Sequence, residues 1–113
     1  MSSAQKTFGI PNLVTIEGVE YTISLFDRSL KARFERWCKS QAWKEVKDTK
    51  EFVSEQQYRQ RYQDVTALIC SGYYEPGNAG FEMKLKSLSG LAYQTYLMIA
   101  VKHPEVTTKQ VKN

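Results

Sequence analysis

The chain has 113 residues, of which 42% are hydrophobic and 25% are charged, and its formal net charge is +4. This composition is typical of one small globular domain, and the charge is too low for a protein dedicated to binding phosphates. The two cysteines, Cys38 and Cys70, are too few for a disulfide-rich secreted scaffold, so both are predicted to be free and buried in a reducing compartment.

The first segments predict an arm and a β-hairpin. Residues 1–12 are polar and carry no apolar run of the kind found in signal peptides, so we expect a flexible arm before a single domain over residues 13–113. Leu13–Ile16 and Tyr21–Ser24 are rich in β-branched and aromatic residues, and Gly18 lies between them. This pattern predicts two antiparallel strands that pack on a helix.

Two amphipathic helices are predicted next. The first runs from about Asp27 to Asp48, and the second begins after Ser54 and stops at Gly72. The expected core face of the first helix consists of residues at helical spacing, all apolar except the glutamine: Leu30, Phe34, Trp37, Cys38, Gln41 and Ala42. The expected core face of the second is Tyr58, Tyr62, Val65 and Ile69.

The segment between the second helix and the last one is ambiguous. Glycines, Pro76 and Asn78 predict a turn-rich loop over residues 73–80. Phe81, Met83 and Leu85 then alternate with charged residues, which fits either a short strand beside the hairpin or the lead-in to a helix.

Residues 88–102 form the most apolar stretch of the chain. Read as a helix ending before Pro104, it has one apolar face with Leu88, Ala92 and Ile99 and an opposite one with Tyr93, Leu97 and Val101. Thr107 and Thr108 would cap one more turn. The expected fold is therefore mainly α with a small N-terminal hairpin: a compact domain of three main helices, or four, around this stretch. The Tyr93 face is left for the hairpin, the segment around Phe81 or another chain.

No catalytic motif stands out. The one histidine, His103, lies at a helix end, where a cation interacts favourably with the helix dipole. We therefore expect no enzymatic activity, no metal and no cofactor, and the interrupted apolar stretch is too short to span a membrane.

Trp43 is the most informative irregularity. It lies opposite the core face of the first helix, among cations at helical spacing: Arg36, Lys39, Lys47 and Lys50. An exposed Trp among cations could stack on a base or on an aromatic group of a partner. The alternative is that another element, such as the hairpin or the helix over residues 88–102, covers it. A second candidate is the set of aromatic residues around the loop over 73–80, namely Tyr73, Tyr74 and Phe81. They either anchor a partner or close the core.

The order of these elements resembles the small tail assembly chaperones of long-tailed bacteriophages. The strings that carry the resemblance are Gly18–Tyr21, Phe26–Trp37, Gly72–Tyr74, Leu88–Ala92 and His103–Thr107. The resemblance implies a helical chaperone, in the host bacterial cytoplasm, that keeps the tape-measure protein soluble while tail subunits polymerise around it. Tail tube subunits and a second copy of the chain are further partners that it allows.

The residue pattern predicts which side chains would bind the client of such a chaperone, the tape-measure protein, because a helix of this client needs an apolar groove. They are Tyr93, Leu97, Met98, Val101, Trp43, Tyr73, Tyr74 and Phe81, with a basic rim of Arg36, Lys39, Lys47 and Lys50. The alternatives are a small nucleic-acid-binding module that uses the basic face around Trp43, or a structural or connector protein of the virion.

Overall fold

The computed structural model describes residues 13–112, so the predicted arm over residues 1–12 lies outside the described part of the chain. Within that part the fold is mainly α-helical with an antiparallel hairpin near its start, which confirms the predicted fold class. The described elements are β1 (Leu13–Ile16), β2 (Val19–Thr22), α1 (Arg28–Asp48), α2 (Glu55–Cys70), α3 (Ala79–Lys86), α4 (Leu88–Ala100) and α5 (Thr108–Lys112).

The described residues divide into two compact units. Unit 1 comprises residues 13–30 and 88–112, and unit 2 comprises residues 31–87. The single domain expected over residues 13–113 stays a prediction.

The hairpin of unit 1 is tighter than the sequence predicts. Its turn has only two residues, Glu17 with φ 53° and Gly18 with φ 80°, and Ile16 pairs directly with Val19. Two positive φ angles define the type I′ turn, whose twist matches that of the paired strands. The second strand therefore begins at Val19 and ends at Thr22, so the predicted strand over 21–24 is wrong by two residues at each end.

Hydrogen bonds join the end of the hairpin to α4 and to the segment after it. The Ser24 amide donates to the Met98 carbonyl at 2.9 Å, and the Thr22 amide donates to Nε2 of His103 at 3.1 Å. The Tyr21 ring also packs edge-on against the imidazole. His103 therefore links the hairpin to the segment after α4 through its ring nitrogen and its ring face.

The last turn of the chain has the predicted cap. The Thr107 hydroxyl accepts from the Gln110 amide at 3.4 Å, while the Gln110 side chain accepts from the Thr107 amide at 2.9 Å. This reciprocal pair starts α5. The buried apolar side chains of unit 1 include Leu30, Leu97, Ile99 and Val106.

Unit 2 is built on one face of α1. Phe34, Cys38, Ala42 and Val46 recur every four residues and are all buried, as the helical spacing predicts. Phe34 packs edge-on against Phe81 of α3, with ring centroids 5.1 Å apart. A second link between α1 and α3 is the ion pair of Glu45 and Lys84, at 3.4 Å.

Local signals set both ends of α2. Ser54 and Gln57 form the predicted capping box. At the other end the Gly72 amide donates to the Ile69 carbonyl and the Tyr73 amide to the Leu68 carbonyl, with Gly72 at φ 84°. These two bonds are the Schellman arrangement, in which glycine tolerates the left-handed backbone that ends the helix.

Residues 79–86 are helical, so the alternative of a strand through Phe81 and Leu85 is wrong. Helical spacing separates the three apolar residues: Phe81 is buried, Leu85 is half-buried and Met83 points to solvent. Gly80 has a packing role at the start of α3. A Cβ there would overlap the Tyr73 ring and lie 2.8 Å from the Tyr73 carbonyl oxygen.

Candidate functional site

Unit 2 contains an open groove of about 380 Å³ between α1 and α2. Its apolar lining comes from both helices and from the turn that follows α2: Ala42, Val46, Val65, Leu68 and Tyr74. Its polar lining is Glu45, Thr49, Arg61 and Asp64. Apolar walls with charged residues among them are what a groove needs in order to hold an amphipathic helix.

The helix α2, which forms one wall of the groove, is poorly buried. None of the sixteen residues of α2, all of which the structure describes, is buried. The stripe predicted as the core face of this helix is only partly covered: Tyr58, Val65 and Ile69 are the half-buried residues of α2, whereas Tyr62 is exposed, contrary to the prediction. An apolar stripe without a full covering is a feature of interaction surfaces.

An aromatic pair joins α2 to α1, and a cation–π contact joins α2 to the turn that follows α1. Trp43 and Tyr62 pack with their ring centroids 4.8 Å apart, and the Lys50 ammonium lies 5.8 Å from the centre of the Tyr58 ring. Trp43 is half-buried, and within unit 2 the Tyr62 ring of α2 covers part of it. Lys50 interacts with Tyr58 and does not line the hollow beside Trp43.

That hollow is a second surface feature of unit 2, with a volume of about 600 Å³. It brings Arg36, Lys39 and Lys47 together with Trp43, as the sequence predicts. The remaining lining residues are Ser40, Lys44 and Asp48.

Three of the candidate partner-binding residues have little or no accessible surface. Leu97 is fully buried in unit 1, and Phe81 and Tyr74 are buried in unit 2. Phe81 thus belongs to the core, which is the alternative that the sequence left open for it, whereas Tyr74 is mostly buried and also lines the groove. Of the other candidates, Tyr73, Tyr93 and Met98 are half-buried, and Val101 is 53% exposed.

Sequence reasoning missed the groove because it assigned the apolar stripe of α2 to the core. The residues it missed are Ala42, Val46, Val65 and Leu68, of which Leu68 is 39% exposed. The composition of α2 does indicate that this helix is poorly buried, because its apolar stripe is narrow and polar residues make up most of the helix. Such a helix buries little apolar surface and gains little free energy from packing.

The two cysteines differ in environment. Both are free, but Cys38 is buried and Cys70 is exposed, so the prediction that both are buried is wrong for Cys70. Burial raises the pKa of the Cys38 thiol from 9.0 to about 11; nearby Lys84 opposes this shift and Glu35 adds to it. Burial also raises the pKa of Tyr74.

We expect the Cys38 thiol to lower stability at alkaline pH. Between pH 9 and 11 the thiol ionises in the unfolded chain but stays protonated in the folded one. The stabilisation present below pH 9 is therefore lost as the pH rises through 11, at a cost of about 2–3 kcal/mol. Urea unfolding at pH 8 and pH 11 should show a smaller loss for Cys38→Ala than for the wild type. Cys70→Ala is the control and should lose as much free energy of unfolding between pH 8 and pH 11 as the wild type. Equal losses for the wild type and both variants would contradict this account.

The described residues contain neither a metal-ion cluster nor a membrane-spanning helix. Over residues 13–112 there is no group of three or more His, Cys, Asp or Glu side chains arranged to hold a metal ion. In the same part of the chain no helix is both long enough and apolar enough to cross a bilayer. Comparisons with protein-family models, with curated proteins and with solved structures found no match to the chain.

Proposed function

We propose that the protein is a tail assembly chaperone of a long-tailed bacteriophage. In this role it binds the tape-measure protein in the host cytoplasm and keeps it soluble until tail subunits enclose it. The observation that carries the proposal is the open groove between α1 and α2, beside a helix none of whose sixteen residues is buried. The order of sequence elements, which resembles that of the tail assembly chaperones, supports it independently.

The groove suits a client that is a long amphipathic helix. Such a helix presents apolar side chains three and four residues apart, and each would bury surface against Val65 and Leu68, which keep accessible surface in the groove. Burial contributes about 25 cal/mol per Å² of apolar surface, so repeated weak contacts along a long client add up. Arg61 and Asp64 lie on the same groove and can pair with client charges of either sign.

The test is co-expression with the longest coiled-coil-like protein encoded next to this chain. We expect the wild type to move most of that client into the soluble fraction. Leu68→Asp should abolish the effect, because it places a charge among the apolar walls of the groove. Since Leu68 is 39% exposed, this variant should still fold, which circular dichroism will check.

The matched control is Leu88→Asp, the same substitution at a residue that is 88% exposed and does not line the groove. It should solubilise the client as well as the wild type does. A client that stays insoluble with the wild type, or a Leu68→Asp variant that works normally, would refute the proposal. Recovery of the chain as a component of purified virions would favour a structural or connector protein instead.

A further inference from the structure

The hollow beside Trp43 follows one face of α1. Arg36, Ser40, Trp43 and Lys47 are spaced by three and four residues, so all four lie on the same side of the helix. Arg36 and Lys47 are eleven residues apart, which is about three helical turns or 16 Å along the axis. Trp43 lies between these two cations.

The charges of this surface are only partly balanced. Lys39 pairs with Glu35 at 2.8 Å, and Lys44 pairs with Asp48 at 3.1 Å. Within residues 13–112 no salt bridge joins Arg36 or Lys47 to a carboxylate, and both side chains are exposed. Two uncompensated cations therefore flank a half-buried aromatic ring.

We propose that this surface binds the acidic face of a helical peptide that lies along α1. This inference rests on the proposed function, because it names the charge that a helical client carries beside its apolar stripe. Two carboxylates about three turns apart on the client would reach Arg36 and Lys47, and an apolar side chain between them would meet Trp43.

The same features favour a peptide over a nucleic acid. Tyr62 already packs on the Trp43 ring, which leaves less of the ring for stacking on a base. Two of the four cations in the hollow are neutralised by carboxylates, so a run of closely spaced phosphates would meet few free charges. Two well-separated charges fit side chains that recur on one face of a helix.

The test measures fluorescence anisotropy of a labelled helical peptide with two glutamates eleven residues apart and leucines between them. A second peptide carries glutamine in place of both glutamates, and a labelled oligo-dT is the third probe. We expect the glutamate peptide to bind more tightly than the glutamine peptide, and its binding to weaken as salt rises. The double variant Arg36→Gln with Lys47→Gln should weaken its binding about fivefold.

The matched control is Lys31→Gln with Lys86→Gln, which removes the same total charge from exposed positions outside the hollow. It should leave binding of the glutamate peptide unchanged. Equal binding of both peptides, or equal weakening by both double variants, would overturn the inference. Tighter binding of oligo-dT that only the Arg36 and Lys47 variant loses would overturn it in favour of nucleic acid.

The two proposals can fail separately. If client solubilisation depends on Leu68 but the glutamate peptide does not bind, the groove proposal stands and this inference fails. If the glutamate peptide binds but no client is solubilised, the charged surface is real and the chaperone function is wrong.

Discussion

Replacing Leu97 by aspartate is expected to unfold the protein. The Leu97 side chain is fully buried on α4. A carboxylate at that position would lose its hydration without gaining a partner, which costs at least about 4–5 kcal/mol. That cost is comparable to the whole stability of a small domain, about 5–15 kcal/mol. Thermal unfolding followed by circular dichroism, with the yield of soluble protein, measures the effect.

Val101→Asp is the matched control, because Val101 follows Leu97 by four residues, lies in the turn directly after α4 and is 53% exposed. It should change the free energy of unfolding by about 0.5 kcal/mol or less. A Leu97→Asp variant that melts like the wild type would show that the α4 face is not core. It would also restore the sequence-based hypothesis that this face receives the partner.

The sequence-based hypothesis placed the partner-binding site on the face of α4 with Leu97 because this helix is apolar on every side. A helix with apolar residues all round must be covered all round, and the sequence alone does not show which element covers each face. In the structure Leu97 and Ile99 are buried although they derive from opposite faces of the predicted helix. The helix without any buried residue is α2, although the periodicity of its apolar residues predicts a full core face.

Features fixed by neighbouring residues could be predicted well. The start of α2 follows from Ser54 and Gln57, and its end follows from Gly72, because the bonds involved join residues within one turn. The hairpin was also predictable, but its turn was not. Glu17 adopts a positive φ that is uncommon outside glycine, asparagine and aspartate, so a glutamate at this position does not predict a two-residue turn.

Features that depend on distant residues could not be predicted. The three apolar residues from Phe81 to Leu85 fit a strand or a helix equally. In the helix that forms, Phe81 packs on Phe34 of α1, a residue far away in the sequence. The candidate site shows the same limit. The sequence predicted that Arg36, Lys39 and Lys47 lie around Trp43 because all of them are on one helix, whereas the groove requires α1 and α2 together.

The second large effect is expected at Phe34, which connects α1 to α3. Its ring is fully buried and packs against Phe81 and Trp37, with centroids 5.1 Å and 5.3 Å away. Phe34→Ala would remove that ring and leave a cavity between the helices, so we expect a loss of about 3–5 kcal/mol in the free energy of unfolding. Urea denaturation at neutral pH measures it.

Phe52→Ala is the control, since Phe52 is 84% exposed in the turn after α1 and loses little buried surface on truncation. Its free energy of unfolding should stay within about 0.5 kcal/mol of the wild type. Equal losses for the two variants would contradict the packing described for unit 2. A small loss at Phe34 alone would mean that α3 is not held by its aromatic contact with α1. The groove would then lose part of its support, because Ala42 and Val46 line it from the same face of α1 that carries Phe34.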